Sequence, residues 1–329
     1  MPASFRRHIE WTSWGTELNP FKRWNIFRPF VCWYSSWVVD KYIRAELDKR
    51  FAEYKASGDS TKESDGVKSI ASLALNSYMS EFKISDSPTM DPVFKKFAAS
   101  QIRMFMLAGH DTSSTAIVYA LHCLYTNTEC LAKARAEHDA VFGTDPSKAS
   151  SMIAKDPSLL NQLPYTLAAI KEALRLFPPG GSMRAGDEEI ILTDEQGRQF
   201  PTANCAVWIL HHGLHINPQV WPEPQKFIPE RFLAHVGPED PLHPVKGAWR
   251  GFEFGPRNCI GQTLALVEIK LVLVMVLREF DMSPAYDEWD EMHPTKGIKT
   301  VAGERAYMVQ GGGGGAHPTD RYPCRVKIR

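Results

Sequence analysis

The chain has 329 residues, 43% of them hydrophobic and 11% aromatic, enough for a sizeable core, which excludes a disordered chain. Lys+Arg and Asp+Glu each number 38, so no electrostatic footprint for nucleic acid stands out, and the balance points to a small or apolar partner. Six cysteines without a C-x-x-C pair exclude a disulfide scaffold and a ribbon-type zinc site and suit a reducing compartment.

In chain order, MPASFRRHIEWTSW lacks the apolar centre of a signal peptide, and no later stretch reaches the roughly 18 uncharged residues of a membrane span. RWNIFRPFVCWYSSWVVDKYIRAELDKRFAEY reads as an aromatic turn region followed by a helix from about Val38, and polar SGDSTKESDG (57–66) punctuates. A long helix is predicted from Asp91 to about Tyr125: Pro92 suits a first turn, and Phe94, Phe97, Ile102, Phe105 and Met106 recur near helical spacing. Its middle, LAGHDTSST, is a misfit, because Gly109 and Thr112 to Ser114 are poor helix formers and the Thr112 hydroxyl can bond the Ala108 carbonyl, opening the ladder locally. Helices follow at about 129–142 and 162–177, the second stopped by PPGG. The period then changes. EEIILTDEQGRQFP reads as a hairpin around DEQG and CAVWIL as a strand. HHGLH places His211 and His215 four apart, but the segment reads as a strand running into a turn, which argues against a metal pair. After the irregular INPQVWPEPQKFIPERFL, the run QTLALVEIKLVLVMVLREF is apolar on nearly all sides and predicts a buried helix. GGGGG (311–315) reads as a flexible loop between two end strands. There is no internal repeat and no clear linker, so the reading is a single domain over residues 1–329, mainly α with minor β.

FEFGPRNCIG (252–261) carries the chemistry. A thiolate is stabilised by a helix N-terminus and nearby backbone N–H groups. Gly255 and Gly261 allow a turn that points its amides inward, the helix starts at about Gln262, and Arg257 can pair with an anionic group on the same cofactor. One thiolate with no second Cys or His nearby is wrong for zinc or an iron–sulfur cluster and right for one axial position on heme. The set Phe252, Gly255, Arg257, Cys259 and Gly261 fills F-x-x-G-x-R-x-C-x-G, so the chain resembles the cytochrome P450 family at its heme-binding signature.

Two further segments are similar to that family. KEALRLFPP holds Glu172 and Arg175 on one helix face, and WPEPQKFIPERF matches the family's second motif through Trp221, Pro224, Phe227, Pro229, Glu230, Arg231 and Phe232. The resemblance implies that Glu172, Arg175 and Arg231 form a buried network that positions the cysteine loop. LAGHDTSS matches A-G-x-D-T-[ST] through Ala108, Gly109, Asp111, Thr112 and Ser113, which implies an opening for dioxygen with Asp111 and Thr112 as the proton-delivery pair. Arg184, five residues after Pro179, stands where the family has a basic residue on a heme propionate. Trp24 to Arg28 also spell the family's W-x-x-x-R, but Pro29 follows at once and the chain has nine tryptophans, so the match is taken as coincidence.

By this resemblance the fold is the C-terminal portion of the cytochrome P450 fold, with a long oxygen-activating helix, a cysteine-ligand loop and small sheets, and the chain is N-terminally short. The implied cofactor is heme b, with Cys259 as the axial ligand to iron and with Phe252, Gly255, Arg257, Gly261 and Arg184 around it. The implied activity is a heme-dependent monooxygenase that inserts one oxygen atom of O2 into an apolar small molecule above Leu107, Ala108 and Thr112. Electrons come from NADPH through a separate reductase, since no nucleotide-binding glycine motif is present. KGAWRGFEFGPRNCIGQ with LREFDM after it resembles microsomal members from filamentous fungi, many of which act in secondary metabolism, and implies the cytosolic face of the endoplasmic reticulum membrane. FKRWNIFRPFVCWYSSWVV suits a membrane interface, which leaves peripheral attachment or a cytosolic location beside that expectation. Two rivals are a non-catalytic remnant and a heme enzyme of dehydration or rearrangement; the Asp111 and Thr112 pair argues against the latter.

Overall fold

The computed structural model describes residues 2–11, 25–56, 78, 89–294, 299–310 and 315–329. It divides into two compact units, residues 1–111 with 311–314 and residues 112–310 with 315–329.

The first unit holds α1 (Pro2–Trp11), α2 (Arg28–Ala56) and the first part of α3 (Pro92–Thr126). Helix α2 begins ten residues before the expected Val38, so most of the stretch read as an aromatic turn is helical. Pro29 is accommodated because it lies in the first turn, where its missing N–H has no helical partner to lose. Val39, Ile43, Leu47 and Phe51 recur every fourth residue and are buried with Phe5, Ala98 and Ala99. Arg103 donates to Ser36 Oγ (2.7 Å) and Asp40 Oδ1 (3.2 Å), tying α3 to α2. The SGDSTKESDG break and Trp24 lie outside the described residues.

The second unit holds the rest of α3, then α4 (Thr128–Phe142), α5 (Ala149–Lys155), α6 (Pro164–Leu176), α7 (His211–His215), α8 (Gln262–Leu277) and α9 (Tyr286–Met292). Ala116, Ala120 and Leu124 of α3, Leu131 and Ala134 of α4, Ala169 and Ala173 of α6, and Leu273 and Leu277 of α8 make one core. The strands are β1 (Ser182–Ala185), β2 (Ile191–Thr193), β3 (Gln199–Pro201), β4 (Ala206–Ile209), β5 (Phe280–Pro284), β6 (Met308–Gln310), β7 (Ala316–Pro318) and β8 (Cys324–Ile328). They pair antiparallel as β1–β4, β2–β3, β5–β8 and β6–β7. The DEQG hairpin is β2–β3. In the other short sheet Arg184 stands opposite Val207. Strands β6 and β7 flank the glycine run, of which residues 311–314 lie outside the described residues.

Two expectations change. Helix α8 is not buried all round: Ile269, Lys270, Leu273, Val274 and Leu277 face the core, whereas Leu264, Val267 and Leu271 are exposed. Only one stripe of α8 meets α4 and α6, so its all-round apolar composition overstates its burial. The HHGLH segment is a short helix, not a strand entering a turn, with Leu214 N–H bonded to Leu210 C=O at 3.1 Å.

Candidate functional site

The cysteine turn begins with two left-handed residues, Glu253 (φ +65°) and Gly255 (φ +87°). Glycine suits the second because it has no Cβ to clash there. Cys259 N–H donates to Phe252 C=O at 2.9 Å and Asn258 N–H to Gly255 C=O at 3.0 Å, which closes the loop. Helix α8 starts three residues after Cys259, so the exposed thiol sits near a helix N-terminus. Gly261 acts differently from expectation: its φ is −85°, so no left-handed turn requires it. A Cβ built on Gly261 would stand 3.8 Å from Cys259 Sγ, so the glycine keeps side-chain bulk away from the sulfur. Around the thiol, Phe254, Arg257 and Leu264 are exposed and Ile260 is 89% exposed.

Glu172, Arg175 and Arg231 come together with almost no exposure. Arg175 grips Glu172 in a fork, Nε to Oε2 at 2.8 Å and Nη2 to Oε1 at 2.7 Å, and Arg231 Nε donates to Oε1 at 3.3 Å. Glu172 Oε1 also accepts from Ile228 N–H at 3.0 Å, while Arg175 donates to the carbonyls of His215 (2.7 Å), Pro224 (2.6 Å) and Lys226 (3.0 Å). Arg231 reaches the carbonyls of Pro222 and Glu223. The network thus staples helix α6 to the whole Pro-rich stretch. Trp221, fully buried, lies under Arg175 with the guanidinium carbon 5.1 Å from its ring centroid.

What carries this anchor to the cysteine turn is His215, a residue the sequence reading set aside. Its Nδ1–H donates to Arg175 C=O at 3.0 Å and its Nε2 accepts from Arg250 N–H at 2.9 Å, two residues before Phe252. A ring that donates at one nitrogen and accepts at the other is neutral. Burial, helped by electrostatic repulsion from the neighbouring His211, Arg175 and His212, holds the pKa down to about 3 despite the bond to Arg175. A second path is aromatic: Trp221, Phe232, Trp249 and Phe252 follow one another at centroid distances of 6.2, 5.8 and 6.1 Å, and Trp249 Nε1 donates to Lys171 C=O at 3.0 Å.

The sign of the pH effect follows. The unfolded ring takes a proton below its ordinary value of 6.5, whereas the folded ring stays neutral down to about 3. Stability is therefore lost as pH falls through that window, by up to about 1.4 kcal/mol per pH unit. His215→Phe is expected to cost about 1–3 kcal/mol at pH 7, because two buried backbone groups lose their partner. Its deficit relative to wild type is expected to shrink at pH 5, read by urea unfolding at both pH values; a constant deficit would show that the ring does not titrate with folding.

Arg184 meets Glu253, with Nη2 3.6 Å from Oε2, and donates through Nη1 to Met183 C=O at 3.0 Å. Arg257 makes no hydrogen bond or ion pair among the described residues. Asp111 and Thr112 lie on α3, which is assigned as helix without a break across LAGHDTSST. The expected opening is therefore not seen as an interruption of the helix. Ser113 and Thr115 are buried, and Thr115 Oγ1 lies 3.0 Å from His317 Nδ1. A Cβ at Gly109 would meet nothing within 4 Å.

Comparison with known proteins gives concordant matches. The family model described as "Cytochrome P450" matches residues 14–309. "Cytochrome P450 monooxygenase polC" of Polytolypa hystricis is 40% identical over 322 residues, 97% of this chain and 56% of that protein. "Cytochrome P450 monooxygenase acrF" of Aspergillus aculeatus is 33% identical, over 82% of this chain and 56% of its own length. The chain thus spans about half the length of these curated relatives. Among solved structures, the "cytochrome P450DA heme domain" superposes with a TM-score of 0.69 at 19% identity, covering 100% of this chain and 60% of that one, a likeness of fold.

Proposed function

The chain belongs to the cytochrome P450 family, and on that premise we propose that it is the heme-bearing part of a monooxygenase that places one oxygen atom of O2 into an apolar small molecule. The observation that supports this most is the exposed thiol of Cys259, three residues before a helix start, on a loop anchored to a fully buried ion network. The residues present suit heme. One thiolate donor, a sulfur kept clear by Gly261, exposed Phe254, Ile260 and Leu264, and the cations Arg257 and Arg184 match an apolar disc with an anionic edge.

Heme held by a thiolate supplies one-electron and dioxygen chemistry. In this reading Cys259 would hold the heme iron, Arg257 and Arg184 would bind the carboxylates, and Glu172, Arg175 and Arg231 would keep the loop in place. Asp111 and Thr112 hold and pass protons, with the Thr112 hydroxyl as the last donor, and an apolar substrate rests near Leu107, Ala108 and Thr112. NADPH is the electron source through a separate reductase. A single heme-binding domain is part of this reading. The resemblance to fungal relatives supports a role in secondary metabolism.

Thr112→Ala tests the catalytic part. Supplied with NADPH and a reductase, this variant is expected to keep wild-type heme content while the share of consumed NADPH recovered as hydrogen peroxide rises severalfold, because proton delivery is what the hydroxyl contributes. An unchanged share would remove Thr112 from the mechanism.

Among the described residues no helix is long and apolar enough to cross a membrane. We propose attachment through α2 and the turn before it at the cytosolic face of the endoplasmic reticulum membrane: Phe27 and Trp33 are 64% and 68% exposed, and Ile26, Phe30 and Trp37 are exposed with them. The chain is expected to float with liposomes, and Phe27→Ser/Phe30→Ser/Trp33→Ser to sink without loss of helical circular dichroism. Flotation of the triple variant, or its unfolding, would refute that role.

A further inference from the structure

Glu253 fills the first variable position of the F-x-x-G turn, so the signature itself says nothing about it, yet this acid is a hub. Its side chain is 7% exposed and its backbone is left-handed, a conformation that a residue with a Cβ adopts at a cost. Oε1 accepts from Arg250 Nη1 at 2.6 Å and from Phe254 N–H at 3.2 Å. Oε2 accepts from His211 Nε2 at 3.3 Å and lies 3.6 Å from Arg184 Nη2. Burial works against its ionisation, but bonds from Ser182, Arg250 and Phe254 and the proximity of His211 outweigh it and hold the carboxyl at about 2.

The partners come from three elements. Arg184 belongs to β1, paired with β4. His211 begins α7, and its Nδ1 donates to Gly180 C=O at 3.1 Å. Arg250 leads into the cysteine turn, where its Nε also holds Gly247 C=O at 3.1 Å. Two guanidiniums thus face one carboxylate, leaving a positive excess. Arg250 is hydrogen-bonded to Glu253, whereas Arg184 at 3.6 Å is an ion pair without a hydrogen bond and its side chain is 39% exposed. Arg184 therefore keeps donors for a further acceptor.

We infer that Glu253 is a positioning residue, which aims Arg184 at the cofactor's carboxylate while locking Arg250 into the cysteine loop, so that the anion-binding cation and the iron-binding thiol keep one register. This rests on the reading of Arg184 as a heme-carboxylate partner. For heme retention the carboxylate acts through Arg184, so its removal and that of the arginine should not compound.

The test is the rate at which the heme-loaded chain loses heme to an excess of heme-free myoglobin, with the reduced CO spectrum recorded alongside. Glu253→Gln, which keeps shape and loses charge, is expected to release heme about tenfold faster, a change equivalent to roughly 1.4 kcal/mol. The position of the thiolate CO band is expected to stay put. Arg184→Leu is expected to do the same, and the double variant to be no faster than Arg184→Leu alone. Release at the wild-type rate from Glu253→Gln, or multiplication of the two single effects, would overturn the inference. The same cycle with Glu253→Asp, which keeps a charge for half-buried Arg250, reads the coupling if the Gln variant does not accumulate. A wild-type chain that takes up no heme would refute the functional reading, whereas uptake without coupling refutes Glu253 alone.

Discussion

Glu172→Ala and Arg175→Leu are each expected to destabilise the chain by roughly 3–5 kcal/mol and to leave little soluble, heme-loaded protein. Both side chains have no exposure, so water cannot replace a lost partner. Without Glu172, two buried guanidiniums lose their shared counter-charge and Ile228 N–H loses its acceptor. Without Arg175, three carbonyls and a carboxylate are left with unmet bonds, and the stretch from His215 to Lys226 keeps only the His215 bond to the residue-175 carbonyl of α6. That stretch carries His215, so the damage reaches the cysteine turn through Arg250. Exposed Arg198, paired with Asp194, is the control: Arg198→Leu is expected to stay within about 0.5 kcal/mol of wild type. Urea unfolding and heme content per chain read both effects, and wild-type values for Glu172→Ala or Arg175→Leu would show that the network anchors nothing.

How much of this was legible beforehand differs by residue. Glu172 and Arg175 are three apart on a helix, so their contact follows from local spacing. The approach of Arg231, 56 residues beyond Arg175, came only with the family resemblance. Helix α8 was legible at its start and misread at its exposed face, because composition reports apolarity and not which stripe meets a neighbour. Helix α7 is five residues long and offers no periodicity to read, so His215 was seen only as a spacing from His211. Its two hydrogen bonds go to backbone groups 35 and 40 residues away, which no local pattern encodes. Glu253 was missed for a related reason: it occupies a position the signature leaves open, and two of its partners, Arg184 and His211, are brought to it by tertiary packing. Gly261 was legible as a signature position but not as a left-handed turn, since its φ is −85° and a Cβ there would only touch the sulfur at 3.8 Å.

Cys259→Ser carries the other large effect. Of the six cysteines, Cys123 is buried and burial pushes its thiol well up, and burial also raises Cys130 and Cys324, all of which disfavours a thiolate. Cys259 and Cys205 are the exposed thiols among the described residues, but Cys259 alone precedes a helix N-terminus. The CO difference spectrum of the reduced, heme-loaded chain tests the central claim most directly. Wild type and Cys205→Ser are expected to show the strongly red-shifted Soret band of thiolate ligation, and Cys259→Ser to lose it. Persistence of that band in Cys259→Ser, or its absence from the heme-loaded wild type, would contradict the assignment of Cys259 as the ligand on which the proposed function rests.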